Sequence, residues 1–262
     1  MQIMIKLIFF VILLTSFESY SDELLKNAIL NQNRKIENIK RDNFRNPYET
    51  LTFFEINNKM KVLEVSPGNG WYSEVLSFYL KNSKGYYVTK YKKPPIKIIE
   101  KNQIEFDNYF NKNIEKFGEV KSIYFNEKNF LDSEVKDFDL VLTFRNTHNW
   151  LGSKTADNVY KSIYQIMKKG GILGIVQHRA NENSKNDFKN GYVKQSFLIK
   201  FIEKQGFKFI NKSEINANTK DTKDYEKGVW TLPPRLILGD KQKDKFLQIG
   251  ESDRMTLKFI KP

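Results

Sequence analysis

The stretch Val62-Leu-Glu-Val-Ser-Pro-Gly-Asn-Gly-Trp71 decides how the chain is read. Val62–Val65 is short and apolar except for Glu64, the pattern of a buried strand. A turn with Gly68 and Gly70 follows, and from Trp71 to Leu80 the apolar residues Val75, Leu76 and Leu80 recur at helical spacing. A strand, a glycine turn and a helix in that order aim the first N–H groups of the helix at whatever lies beyond the strand end. Glycines, having no Cβ, let backbone come close to a ligand there. Ser66 precedes Pro67, which predicts extended backbone at Ser66, and Pro67 itself removes one N–H donor. The turn is thus stiffer than an ordinary glycine-rich loop but open at Gly68 and Gly70, and it is expected to face a cofactor.

Outward from this stretch, strand and helix patterns alternate. Gly85–Tyr91, Val120–Phe125, Phe138–Phe144 and Ile172–Gln177 read as strands, and Phe138-Asp-Leu-Val-Leu-Thr-Phe144 is apolar enough for burial on both faces. Residues from Pro95 to about Phe117, Ser153–Met167 and Gly191–Gln205 read as helices. Lys168-Lys-Gly-Gly171 is expected to close the second of these as a basic, glycine-ended cap. Such alternation implies parallel βαβ units with ligands at the carboxyl edge of the sheet. Phe207–Ile215 and Met255–Ile260 have no helix expected between them and read as an antiparallel pair, with residues 216–254 as a long insertion.

The chain has 262 residues, 40% hydrophobic and 29% charged, which suits one large α/β domain or two small ones and excludes a disordered chain. Its first residues form a separate unit. Lys6, the apolar run Leu7–Leu14, and Ser19 and Ser21 before Asp22 make a secretory signal pattern, so residues 1–21 are expected to be removed and the remainder to be periplasmic or secreted. The apolar run is shorter than the roughly 20 residues a membrane-spanning helix needs, so no span is expected in the mature chain. Residues 22–56 are expected to form a helical cap and 57–262 the main domain. There is no cysteine, which excludes disulfides and thiol chemistry. The net charge of +13 comes from lysines scattered along the chain, with no nucleic-acid recognition pattern, so no specific nucleic-acid partner is expected.

The choice of cofactor turns on what surrounds the loop. A dinucleotide site needs a third glycine where Ser73 stands, and an acid about 20 residues on, where Val88-Thr-Lys-Tyr-Lys-Lys93 is basic instead. Those lysines keep an NADP-linked reductase open as an alternative. Val62–Gly70 resembles the first motif of class I S-adenosylmethionine-dependent methyltransferases. Asp139–Trp150 resembles the fourth strand and following loop of that family, and Lys168-Lys-Gly-Gly-Ile-Leu-Gly174 the start of its fifth strand, with Lys169 where proline is usual. Gln177–Ala180, Ser213–Asn218 and Gly228–Pro234 look like a little-characterised bacterial branch of predicted methyltransferases, often with signal peptides. The resemblance covers about Asp42 to Pro262. It implies a Rossmann-like α/β fold with a seven-stranded, mostly parallel sheet and a terminal antiparallel hairpin, flanked by helices. It also implies that Glu64 and the loop Ser66, Pro67, Gly68, Asn69 and Gly70 hold the methionine end of S-adenosyl-L-methionine. Asn129 and Phe130 would lie near the adenine, and Lys90 would stand where the family has a ribose-binding acid.

His148 and His178 are the only histidines, and both follow strands at the same expected edge. Imidazole titrates near neutrality, so His148 is the first candidate base, with His178 beside it. Arg145 and Arg179 flank them and suit a carboxylate or phosphate clamp, or ion pairs with Glu64, Glu182 or Glu214. No metal-ligand spacing is present and no metal is expected. Trp230-Thr-Leu-Pro-Pro234 suits a lid, and Glu251 and Asp253 are expected to pair with Arg235 or Arg254. These features imply methyl transfer to a small molecule or peptide, with an exported non-catalytic binding protein as the other alternative.

Overall fold

A computed structural model describes residues 23–132, 134–185 and 187–262, so the expected signal segment lies outside the described residues. The strands are β1 (Lys61–Val65), β2 (Gly85–Tyr91), β3 (Lys121–Phe125), β4 (Leu131–Asp132), β5 (Phe138–Phe144), β6 (Met167–His178), β7 (Lys208–Ser213) and β8 (Arg254–Ile260). They form one sheet in the order β4-β3-β2-β1-β5-β6-β8-β7. The strands from β3 to β6 are parallel, while β8 runs antiparallel to both β6 and β7. The seven expected strands are all there, and the two-residue β4 adds an antiparallel edge to β3. Between β1 and β5 the chain reverses its direction of travel across the sheet, which opens a crevice at the carboxyl edge.

Alternation along each strand divides the core in two. Leu63, Val65, Val141 and Ile175 pack with the helices Ala156–Ile166 and Gln195–Lys204. Val62, Leu140, Leu142 and Val176 pack with the helix Trp71–Tyr79, with Phe106 and Phe110 of the helix Lys97–Lys112, and with Leu25, Ala28, Leu51 and Phe54. The N-terminal segment thus closes one face of the sheet. It is broken into helical turns at 23–29, Ile36–Ile39, Asp42–Arg45 and Pro47–Phe53, where the near-helical spacing from Asp22 to Asn43 predicts a more continuous helix. Asn46, at φ 41, ends one turn and starts the next, and Pro47 takes the first helical position, where its missing N–H costs nothing.

Two boundaries differ from expectation. The Lys168–Gly171 run does not cap a helix: the helix ends at Ile166 and β6 begins at Met167. Gly170 N–H donates to Lys261 O at 2.8 Å and Lys261 N–H to Gly171 O at 3.0 Å, so the last residues of the chain draw this run into the sheet. The insertion 216–254 contains the helix Lys243–Ile249 and a short helical turn at Gly228–Thr231. Among the described residues no helix is long and apolar enough to cross a membrane.

Candidate functional site

The glycine loop crosses the end of β1 at the crevice. Ser66 is not extended as expected: its φ is 55. A following proline chiefly disfavours the right-handed helical region, and contacts from two neighbouring strands select the left-handed side. Ser66 N–H donates to Thr89 Oγ1 of β2 at 2.8 Å, and its carbonyl accepts from Asn146 Nδ2, just past β5, at 3.0 Å. The same amide lies 3.2 Å from Val65 O. A non-glycine residue held at positive φ costs about 1–3 kcal/mol and persists only when its surroundings over-determine it, as Thr89 and Asn146 do here. Gly68 (φ 59) has no atom within 4 Å of where a Cβ would stand, so the loop is open on that side. Gly70 (φ 80) is fixed from below, since its Cβ would lie 2.9 Å from Phe110 Cε2.

Beside this loop is a cavity of about 510 Å³, within the usual range for small-ligand sites of roughly 300–1,000 Å³. Ser66, Pro67, Gly68, Lys90 and Asn129 line it. Ile96, Ile99, Phe106 and Trp150 supply apolar wall, and Thr89, Asn146 and Asn149 polar wall. Gln103, also at the wall, accepts from Tyr91 N–H at 2.8 Å and donates to Tyr91 O at 3.2 Å, which pins the helix Lys97–Lys112 to the end of β2. Thr89, Gln103, Asn146 and Trp150 were not among the site residues expected from sequence, because they reach the cavity from β2, from the helix Lys97–Lys112 and from the short helix Thr147–Gly152 with its cap, which no local pattern connects.

Four expected cofactor residues do not line the cavity. Glu64 is buried on the Val62 face, beneath the helix Trp71–Tyr79, where it accepts from Ser73 Oγ at 2.7 Å and Tyr86 OH at 2.5 Å. Burial pushes its carboxyl up to about 7, against the lowering effect of these two hydrogen bonds. Its role is to brace the strand and helix under the loop. Asn69 points to solvent, Gly70 packs on Phe110, and Phe130 closes its own turn, donating N–H to Asn126 Oδ1 at 3.1 Å.

Lys90 does reach the cavity, but its ammonium is paired with Asp107 of the neighbouring helix. Lys93 is paired with Glu127 at 2.6 Å. Both lysines thus have carboxylate partners, which weakens the case for a 2′-phosphate at these two positions.

The histidines meet one another, at 5.6 Å between ring centroids, next to the cavity and not in its wall. Gln177 Nε2 donates to Gly191 O at 2.9 Å, which orients that amide, and the same nitrogen stands 3.2 Å from His148 Nδ1. Nδ1 therefore accepts, and neutral His148 carries its proton on Nε2. Burial, with the nearby charge of Arg145, pushes His148 down to about 4 despite the Gln177 contact. In this arrangement His148 is neutral, its Nδ1 is engaged by Gln177, and it stands outside the cavity wall. His178 Nδ1 lies 2.5 Å from Ser252 Oγ, and burial holds His178 well below its ordinary value. Trp230 of the insertion packs against His148 at 5.9 Å between centroids.

Arg179 takes the ion-pair role, contacting Asp253 at 2.9 Å and Glu214 at 2.7 Å. Glu251 pairs with Arg254 at 2.9 Å, as one of the expected alternatives. Arg145 is half-buried and makes no ion pair with Glu64, Glu182 or Glu214.

By sequence, neither a family model nor a curated protein matches the chain. By structure it is similar to several known proteins. An S-adenosylmethionine-dependent methyltransferase from Clostridium acetobutylicum aligns over 89% of this chain and 95% of its own, at 11% identity and a TM-score of 0.52. The glycopeptide N-methyltransferase MtfA, complexed with S-adenosyl-L-homocysteine, aligns over 82% and 87%, at 10% identity and a TM-score of 0.53. The [4+2]-cyclase SpnF aligns over 83% and 80%, at 13% identity and a TM-score of 0.58. These likenesses establish the class I methyltransferase fold.

Proposed function

We propose that the chain is an S-adenosylmethionine-dependent methyltransferase acting on a small molecule or peptide. The observation that carries this reading is the cavity of about 510 Å³ at the β1–β5 crevice, with the open glycine loop on one side and apolar wall on the other. The residues fit the cofactor: Gly68 leaves room where a side chain would intrude, Ile96, Ile99, Phe106 and Trp150 suit a flat aromatic base, and Thr89 and the asparagines offer donors and acceptors. When bound, the cofactor supplies an activated methyl group on a sulfonium. The chain itself contributes position. Asn146 and Thr89 hold Ser66 and fix the loop, and the apolar wall excludes water. Aligning two reactants in this way is worth up to about 7–11 kcal/mol of barrier.

Calorimetry with S-adenosylmethionine, S-adenosylhomocysteine and NADPH tests the reading. Saturable heat with the two sulfur ligands, weakened in Trp150→Ala, is the expected result; none up to millimolar concentration refutes it. The likeness to a cyclase favours a second reading, in which the cavity holds its ligand without methyl transfer. An exported non-catalytic binding protein is one form of it, and cofactor binding without any turnover to S-adenosylhomocysteine would favour it. The export expected from residues 1–21 belongs to this proposal, and the N-terminal mass of the protein recovered from a periplasmic fraction tests it.

A further inference from the structure

Among the described residues most buried charges are matched by opposite ones, as at Arg34 and Arg179, but at one place they are not. Arg34 is answered by Asp42 at 2.8 Å and Glu74 at 3.7 Å. Arg179 and Lys223 share Asp253, and Arg179 also has Glu214. Beyond the ends of β5, β6 and β8 the arithmetic differs. Arg41, Arg45 and Arg254 converge on one carboxylate, Glu251, at 2.7, 3.4 and 2.9 Å. Arg145 adds a fourth guanidinium beside them. The register brings its backbone close, since Arg145 N–H donates to Val176 O at 2.7 Å on β6 and Arg254 pairs across the sheet with His178, two residues on, and its charge is felt by Arg41, Arg254 and Glu251. On its other side Phe144 stacks on Tyr72 at 3.6 Å, and Tyr72 OH donates to Arg45 O at 3.2 Å.

Donors are left over as well as charge. Arg41 Nη2, Arg45 Nη2 and Arg254 Nε are buried without a hydrogen-bond partner. Arg45 and Arg254 are 2% and 3% exposed, so solvent does not answer them. Arg41 and Arg145 are half-buried and give the cluster an opening. Unpaired buried guanidiniums are costly to fold and are characteristic of places that receive an anion, which guanidinium forks match in geometry.

We propose that Arg41, Arg145 and Arg254, backed by Arg45, form a binding site for the oxyanion group, carboxylate or phosphate, of the protein's ligand. In the methyl-transfer reading, on which this identification of the ligand rests, that ligand is the methyl acceptor. Arg145 and Asn146 are adjacent on one turn, the first at the arginine cluster and the second in the cavity wall, so an acceptor held by its anion lies next to the cofactor site.

The test is calorimetric titration of the protein with inorganic phosphate and, separately, with acetate, at constant ionic strength. Saturable one-site binding of either anion supports the site, and the anion that binds tells phosphoryl from carboxyl ligands. Binding should weaken by about tenfold or more in Arg145→Gln and in Arg41→Gln, as expected for loss of a charge-assisted contact, and stay unchanged in Lys200→Gln, which removes the same charge from an exposed helix position. Melting curves establish that the variants fold, and two independent variants keep the result readable if one does not. Failure of both anions to bind, or equal binding in Arg145→Gln and Arg41→Gln, overturns the inference. S-adenosylhomocysteine is titrated into the same samples. Its binding without the anion refutes the oxyanion site alone, and anion binding without it refutes methyl transfer alone.

Discussion

Replacing Arg145 with glutamine is expected to stabilise the protein while it removes ligand affinity. Burial, together with the charges of Arg41 and Arg254 and against the pull of Glu251, pushes the Arg145 guanidinium down to about 10. A guanidinium ordinarily titrates above 12. At about 1.36 kcal/mol per pH unit, the difference corresponds to about 3 kcal/mol of unfavourable interaction in the folded state. Arg145 is partly open to solvent, and screening brings the usable figure to about 1 kcal/mol. For a chain of this size that is a rise of about 2–4 °C in melting temperature. Thermal unfolding of wild type and Arg145→Gln at pH 7 and low salt measures it. The gap should narrow in high salt, which screens the repulsion. It should also narrow when phosphate or acetate, whichever binds, is added, because ligand at ten times its dissociation constant stabilises wild type by about 1.4 kcal/mol and the variant by less. A variant that melts more than about 2 °C below wild type at low salt would refute the reasoning, since it would mean that Arg145 already has a stabilising partner.

Other perturbations have definite signs. Glu251→Gln leaves the arginine cluster without its carboxylate and should cost about 3–5 kcal/mol in urea unfolding. Burial opposes ionisation of Glu251, but its arginine neighbours hold it below the usual carboxylate range, so its stabilising contribution is present above an unfolded value near 4.3 and disappears as pH falls further. Glu64 has the opposite sign: with its folded value raised to about 7, stability should fall as pH rises from about 4.3 to 7. Glu64→Gln, which keeps an acceptor for Ser73 and Tyr86, should flatten that slope in melts from pH 5 to 8. With only two histidines in the chain, imidazole proton resonances are simple to follow; His148 should stay neutral to about pH 5, and His178 should titrate well below its ordinary range; a titration near 6.5 for either would contradict the buried placement. Gly70→Ala should cost about 2–4 kcal/mol, combining left-handed backbone with overlap on Phe110, and Gly68→Ala only about 1 kcal/mol, since no atom opposes its Cβ.

The framework was legible where periodicity is strong. Phe138–Phe144 was read to the residue because five of its seven positions are apolar, and the strand is buried on both faces of the sheet. The parallel βαβ units and the terminal antiparallel pair followed from the alternation of strands and helices. The Lys168–Gly171 run misled because basic residues before glycine serve a helix cap and a strand start equally well, and pairing with Lys261 decides between them. The two-residue β4 carries no period at all. At the site, the loop itself was visible, but the left-handed Ser66 depends on Thr89 and Asn146, which no local pattern connects to it. The placing of Glu64 was readable in principle, since strand alternation puts it on the same face as Val62. The arginine cluster was not, because residues 41, 45, 145, 251 and 254 meet only once the N-terminal segment, β5 and β8 have come together.

The three tryptophans are distributed so that each samples a different part of the molecule. Trp150 lines the cavity. Trp71 has the guanidiniums of Arg34 and Arg45 over its ring, at 5.3 and 4.6 Å from its centroid. Trp230 carries the insertion against His148. With one indole retained and the other two replaced by phenylalanine, emission from the chain becomes a local optical signal. Cofactor, anion and insertion then each have their own reporter, and a ligand can be assigned to its place in the fold by the colour and yield of intrinsic fluorescence, with no label attached.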